Sequence, residues 1–131
     1  MSKPVELGSV KTGSYIMIDG EPCRIVSYDH SKPGKHGAAK ARVVGIGVFD
    51  NVKRNIVSPV SSNVDVPLID KRNGQVISIQ PTNIQIMDME TFEVFETKTP
   101  VEEDIASKIR SGVEVEYWKV FDRVKVVRVK S

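Results

Sequence analysis

The dipeptide Asp19-Gly20, set between Tyr15-Ile16-Met17-Ile18 and Cys23-Arg24-Ile25-Val26, leaves this part of the chain few alternatives to a two-stranded hairpin. Asp and Gly both reach positive φ at low cost, and the turn that needs this matches the twist of the strands it joins. The same logic recurs along the sequence. Ala41 to Phe49 is a second extended run, with Gly45 and Gly47 where a strand bends or another backbone comes close. Val57-Ser58-Pro59-Val60 and Val64-Asp65-Val66-Pro67 continue the alternation. Their prolines cannot donate a ladder hydrogen bond, so these segments belong at edges or strand ends. A first small, curled barrel is expected over residues 1–69.

A second β unit is expected over residues 70–131. Asp70-Lys71-Arg72-Asn73-Gly74 reads as a polar turn ahead of a strand from Gln75 to Ile79, with further strands at Ile84 to Met87 and Phe92 to Phe95. One helix interrupts the pattern. Thr99-Pro100-Val101-Glu102 is a capping box with proline at the first helical position, and the helix should run to about Arg110. Ile105 and Ile109 would share one face, and Gly112 would supply a left-handed stop. Val113 to Val120 and Val124 to Val129 alternate apolar and charged residues, as half-buried antiparallel strands do. Strands, one helix, then strands fits a five-stranded, partly open Greek-key barrel of the OB type. The fold class is therefore all-β, two small β-barrels with one short helix.

Few catalytic or metal constellations survive inspection. His30 and His36 stand six apart with a single cysteine elsewhere, which is not a zinc spacing. Cys23, alone in the chain, reads as a small core residue. Gly45-Ile46-Gly47 is followed by Asp50 where a dinucleotide fingerprint needs its third glycine. Glu102-Glu103-Asp104 is the usual acidic first turn of a helix. Nothing points to an enzyme, a metal or a bound cofactor. The longest apolar run, Val43 to Phe49, is far short of a bilayer span, and the first residues lack a signal-peptide core, so a cytoplasmic protein without a membrane partner is expected.

The charge is informative once divided along the chain. Residues 1–69 hold nine Lys and Arg against six acids, a balance of +3, whereas residues 70–131 hold ten against eleven, a balance of −1. From His30 to Phe49 there are four cations, Lys32, Lys35, Lys40 and Arg42, and no acid. Such a patch favours a phosphate-rich partner. Within it, Pro33-Gly34 makes a turn and Gly37 frees the backbone again, which presents Lys35 at a tip.

Lys32-Pro33-Gly34-Lys35-His36-Gly37 closely resembles the modification loop of the hypusine-containing translation factor 5A family, and it follows the first hairpin as that loop does. The resemblance covers the whole chain and implies an SH3-like barrel followed by an OB barrel. Bacterial elongation factor P is similar but has a third domain, for which this chain is too short. Pro33 and Ala38 look archaeal rather than eukaryotic.

What the resemblance implies is specific. Lys35 would be the modified residue, hypusine or deoxyhypusine, with Lys32, Pro33, Gly34, His36 and Gly37 as its loop. The aminobutyl group would come from spermidine, transferred by deoxyhypusine synthase, a separate NAD-dependent enzyme, for which this chain is the substrate. The lengthened, doubly cationic side chain would reach peptidyl-tRNA on the ribosome and promote peptide bond formation at stalled sites. Lys32, Lys40 and Arg42 would bind nearby phosphates of ribosomal RNA, with His36 stacking or hydrogen bonding. Tyr117, Trp118 and Phe121 are candidate RNA platforms on the second barrel, against core packing for most of them. The alternative is a generic RNA-binding or ribosome-associated scaffold module with Lys35 unmodified.

Overall fold

The computed structural model describes residues 2–31 and 39–130. Those residues form eleven strands, a single 3-10 turn and one short helix, in two compact units that meet in sequence between Leu68 and Ile69.

In the first unit β1 (Ser2–Glu6) leads through the 3-10 turn Leu7–Ser9 to β2 (Tyr15–Ile18), β3 (Glu21–Ser31), β4 (Lys40–Gly47), β5 (Lys53–Pro59) and β6 (Asn63–Pro67). The hairpin is present: Ile18 pairs with Glu21, and Asp19 and Gly20 both take positive φ, 52° and 78°. Strands β2-β3-β4-β5 form one antiparallel sheet in that order, and β1 pairs with β6 in a two-stranded ribbon. Pro59 and Pro67 each end a strand, on the sheet's edge and in the ribbon, where no ladder donor is missed. The core gathers Leu7, Ile16, Cys23, Ile25 and Val43, all fully buried. Gly45 lies on the inner face of β4. A Cβ there would stand 2.9 Å from that of Cys23, which is how closely β3 and β4 approach as the sheet curls.

The second unit contains β7 (Ile69–Ile79), β8 (Asn83–Asp88), β9 (Val94–Lys98), α1 (Glu103–Ala106), β10 (Glu114–Val120) and β11 (Arg123–Val129). Its sheet order is β11-β10-β7-β8-β9, all neighbours antiparallel. Val76, Ile84, Ile86 and Val115 are its fully buried centre.

Three expectations from sequence need correction here. Residues 70–74 are not a turn but the first half of β7, paired residue for residue with β10 from Val120↔Ile69 to Glu114↔Gln75. Tertiary pairing overrides the turn propensity of Asp, Asn and Gly. Gly74 is there because a Cβ would come within 2.5 Å of Ile86 Cγ2. The helix is a single turn rather than one running to Arg110. Thr99 does not cap it: its hydroxyl is buried without a partner, and its N–H donates to the Thr82 carbonyl at 3.0 Å. Glu102 does not reach back to Thr99 but binds Lys125 Nζ at 2.7 Å, so a tertiary ion pair replaces the local box. Ile105 and Ile109 still pack on the core, and Gly112 takes φ 94° while donating to the Val76 carbonyl rather than to a helical one. Finally, β9 begins at Val94, because Phe92 lies in the preceding turn with φ 64°.

Candidate functional site

The cationic segment is carried by the longest hairpin of the first unit. Strands β3 and β4 pair from Cys23↔Gly47 outward to Asp29↔Arg42, His30↔Ala41 and Ser31↔Lys40. The ladder reaches Ser31, the last described residue before the loop. A register shift between Ile25 and Ser27 marks a bulge, which increases local twist and bends the outer half of the hairpin. The candidates Lys32, Pro33, Gly34, Lys35, His36 and Gly37 lie outside the described residues, so what the structure places is the stem on which they are mounted.

On that stem the pleat separates core from charge. Ala41 and Val43 are fully buried, while Lys40 and Arg42 are exposed on the opposite face. Two residues apart on one strand, they stand about 7 Å from each other along it. The cross-strand neighbours of Arg42 are Asp29 and Val57. Farther from the loop, on the same outward face, Arg24 and Lys53 flank Ile46 in one cross-strand row and both are exposed. Sequence reading missed these two, since only the register of three strands brings them into line with Lys40 and Arg42.

Below this face Asp50 closes the β4–β5 connection. Its carboxylate accepts from Arg54 Nη2 at 2.8 Å and from the Val52 N–H at 3.1 Å, and the Arg54 guanidinium, then that N–H, hold its pKa down at about 2. Arg54 is thereby neutralised. Cys23 is fully buried, and burial pushes its thiol up, so it is an inert core residue.

The second unit has a polar centre that sequence alone did not signal. Asp88, 3% exposed, accepts from Arg72 Nε at 2.6 Å and Nη2 at 3.1 Å, from the Tyr117 hydroxyl, and from the N–H groups of Glu90 at 2.8 Å and Thr91 at 2.9 Å. The Arg72 guanidinium holds the Asp88 carboxyl far below the usual carboxylate range, and burial followed by the Asp88 charge pushes Tyr117 up to about 12. Among the three aromatic candidates, Tyr117 is in the core against Phe95, ring centroids 5.0 Å apart. Trp118 is half-buried beneath Lys71 Nζ, 4.9 Å from the ring centroid, and its Nε1 donates to Glu116 at 2.8 Å. Phe121 alone projects, 44% exposed, from the β10–β11 turn. Among the described residues no group of three or more His, Cys, Asp or Glu is arranged to hold a metal ion, and no helix is long and apolar enough to cross a membrane.

Comparison with known proteins matches both units. Residues 1–62 match the family described as translation initiation factor 5A-like, N-terminal, and residues 68–130 match eukaryotic elongation factor 5A hypusine, DNA-binding OB fold. The chain is 54% identical over 129 residues to translation initiation factor 5A of Pyrococcus furiosus, covering 97% of this chain and 94% of that protein. It is 55% identical over 130 residues to that of Methanococcus maripaludis, covering 99% and 97%. Among solved structures it is similar to the eukaryotic translation initiation factor 5A from Methanococcus jannaschii, with TM-score 0.88 and 50% identity over 98% of this chain and 94% of that one. A translation initiation factor 5A family protein from Naegleria fowleri gives TM-score 0.84 at 33% identity, over 99% of each chain.

Proposed function

Because the chain belongs to the translation initiation factor 5A family, we propose that it acts on the ribosome, where a hypusine or deoxyhypusine side chain at Lys35 promotes peptide bond formation at stalled sites. The observation that carries this reading is the stem of the loop. A ladder paired out to Ser31↔Lys40, with Lys40 and Arg42 exposed at its base, gives the eight residues between them a stiff, cationic mount. A long side chain at the tip then probes a narrow RNA-lined space while the stem holds phosphates.

The chemistry of Lys35 follows from its type. An ordinary lysine, with pKa about 10.4, is almost wholly protonated at neutral pH, so deoxyhypusine synthase must remove a proton before the ε-amine can take the aminobutyl group derived from spermidine. The product carries a secondary and a primary amine, both cationic, on a longer arm. Such an arm can reach the acceptor end of peptidyl-tRNA and fix its orientation. Proline is a poor reactant geometrically because its ring fixes φ, and holding the tRNA in place reduces the entropic part of the barrier. Bond making stays with the ribosome, and the factor acts in the cytoplasm as a positioning partner.

Mass spectrometry of the Lys35 peptide, from protein purified out of its own source, tests the reading. An added aminobutyl group is expected. An unmodified lysine throughout, together with full function of the Lys35→Arg variant, overturns it in favour of a generic RNA-binding module, since Arg keeps the charge but is no substrate for the synthase.

A further inference from the structure

The sheet that carries the stem holds a second group of cations, remote from the loop. Cross-strand partners share a face, and the face turned away from Ala41 and Val43 has two charged bands with a neutral one between them. Lys40 and Arg42 form the band nearest the loop. Ser27, Val44 and Asn55 make the neutral row, and Arg24, Ile46 and Lys53 the far one. Ile46 lies about 13 Å along β4 from Arg42, and Arg24 and Lys53 stand one strand to either side of it, about 10 Å apart.

This charge is not neutralised from within. Among the described residues Arg24, Lys40, Arg42 and Lys53 enter no ion pair. Arg54, next to Lys53 but on the other face of β5, is by contrast held by Asp50 at 2.8 Å. Strands β2, β4 and β5 contain no acid, and Asp29, opposite Arg42, is the one carboxylate in the rows described. Four cations against one acid leave the face at +3.

A partner that fits must carry negative charge at repeated intervals, so as to meet both bands, and must accept hydrogen bonds across the neutral row. A nucleic-acid backbone does both, since its phosphates pair with Arg and Lys while Ser and Asn side chains donate to phosphate or sugar. Val44 and Ile46, half-buried along the middle of the face, add apolar surface on which bases can rest. Bases are free to do so in a single strand, whereas a duplex keeps them stacked inside.

We infer that Arg24 and Lys53 form a second phosphate-binding row, so that the outward face of β3, β4 and β5 holds single-stranded RNA along a path leading away from the Lys35 loop. This rests on the reading that the chain works on RNA, and it gives the sheet face an affinity that does not depend on modification of Lys35. The loop then supplies the reach and the sheet a grip on the strand behind it.

Fluorescence anisotropy of a labelled oligouridine with the full chain, made with Lys35 unmodified, tests this across a range of salt concentrations. Arg24→Gln with Lys53→Gln should weaken binding and lower the slope of log affinity against log salt by about 1.4, two contacts at about 0.7 each. The charge-keeping pair, Arg24→Lys with Lys53→Arg, should retain the slope. Lys108→Gln with Arg110→Gln, an equal loss of charge at exposed positions of the second unit, should leave it unchanged. An unchanged slope in the Arg24 and Lys53 variant, while Lys40→Ala with Arg42→Ala still lowers it, overturns the second row and leaves the ribosomal reading standing. An equal fall in the Lys108 and Arg110 variant overturns it as well, by reducing the effect to net charge. So does binding of poly-glutamate as tight as that of the oligouridine, which would make the face a surface for acidic proteins. Absence of an aminobutyl group on Lys35 in protein from its own source, with the 1.4 change in slope still observed, removes the hypusine mechanism and leaves the row in place.

Discussion

Arg72 and Asp88, sixteen residues apart on adjacent strands, meet in a two-point ion pair, with Nε 2.6 Å from Oδ2 and Nη2 3.1 Å from Oδ1. The carboxylate is 3% exposed, and with Tyr117 and two backbone N–H groups it has a full set of donors. A buried charge satisfied in this way does not add much stability over an apolar replacement of the same shape, but losing one member is costly because the remaining groups stay buried unpaired.

Asp88→Ala should therefore destabilise the second unit by about 3 kcal/mol, and Asp88→Asn by somewhat less, since an amide oxygen retains part of the turn contact. Urea unfolding followed by fluorescence of Trp118, in the same unit, measures this. A loss under about 1 kcal/mol for Asp88→Ala would contradict the role given to the network.

The same network sets two pH limits. Asp88 has a folded pKa well below the unfolded value, so its contribution is complete above about pH 4 and is lost as pH falls further toward the folded pKa. Tyr117 has a folded pKa raised to about 12, so its contribution is complete below its unfolded value near 10 and is lost as pH rises from there through the folded pKa. Melting temperature should stay flat between these limits as far as this pair is concerned. The Asp88→Asn variant should show a shallower fall in acid than the parent chain.

Gly45→Ala places a methyl group 2.9 Å from Cys23 Cβ and 3.2 Å from Ile18 Cδ1. Two paired strands must move apart to admit it, at a cost of about 1–3 kcal/mol. Thermal unfolding of the variant checks this, and Cys23→Ala in the same chain should not recover the loss, because alanine keeps the Cβ that the new methyl meets.

Phe92→Gly acts in the opposite direction. The side chain is 68% exposed and its φ is 64°, so removing it relieves backbone strain while giving up little packing. A gain of about 1 kcal/mol is expected from the left-handed conformation alone. Chemical denaturation reads the gain, and a destabilised variant would mean that Phe92 packs more than its exposure suggests.

Lys40→Ala with Arg42→Ala should weaken RNA binding uniformly across sequences and lower the slope of log affinity against log salt by about 1.4, two contacts at about 0.7 each for single strands. An unchanged slope would remove these two residues from the phosphate-binding face.

Local chemistry made much of this protein legible from its sequence. Asp19-Gly20 allows one kind of turn, the 2.0-residue period of Ala41 to Gly47 separates Val43 from Arg42, and Pro59 and Pro67 exclude central strand positions. The loop motif at residues 32–37 is contiguous, so no tertiary information was needed to notice Lys35. These features depend on neighbours within a few residues, where steric and hydrogen-bonding preferences act directly.

Features decided by distant partners were not legible. Residues 70–74 carry turn residues, yet β10 pairs with all of them and makes a strand. Thr99 and Glu102 carry a capping signature, yet Lys125, 23 residues beyond Glu102, takes the carboxylate. No local pattern singles out Asp88, whose partners Arg72 and Tyr117 come from other strands, and a cavity beside them is formed only by the assembled sheet. Local propensities are worth tenths of a kcal/mol to about one, whereas a seven-residue ladder or a buried charge with five donors outweighs them, so the chain's periodicity determines which faces are buried and the assembled sheets determine which polar groups meet.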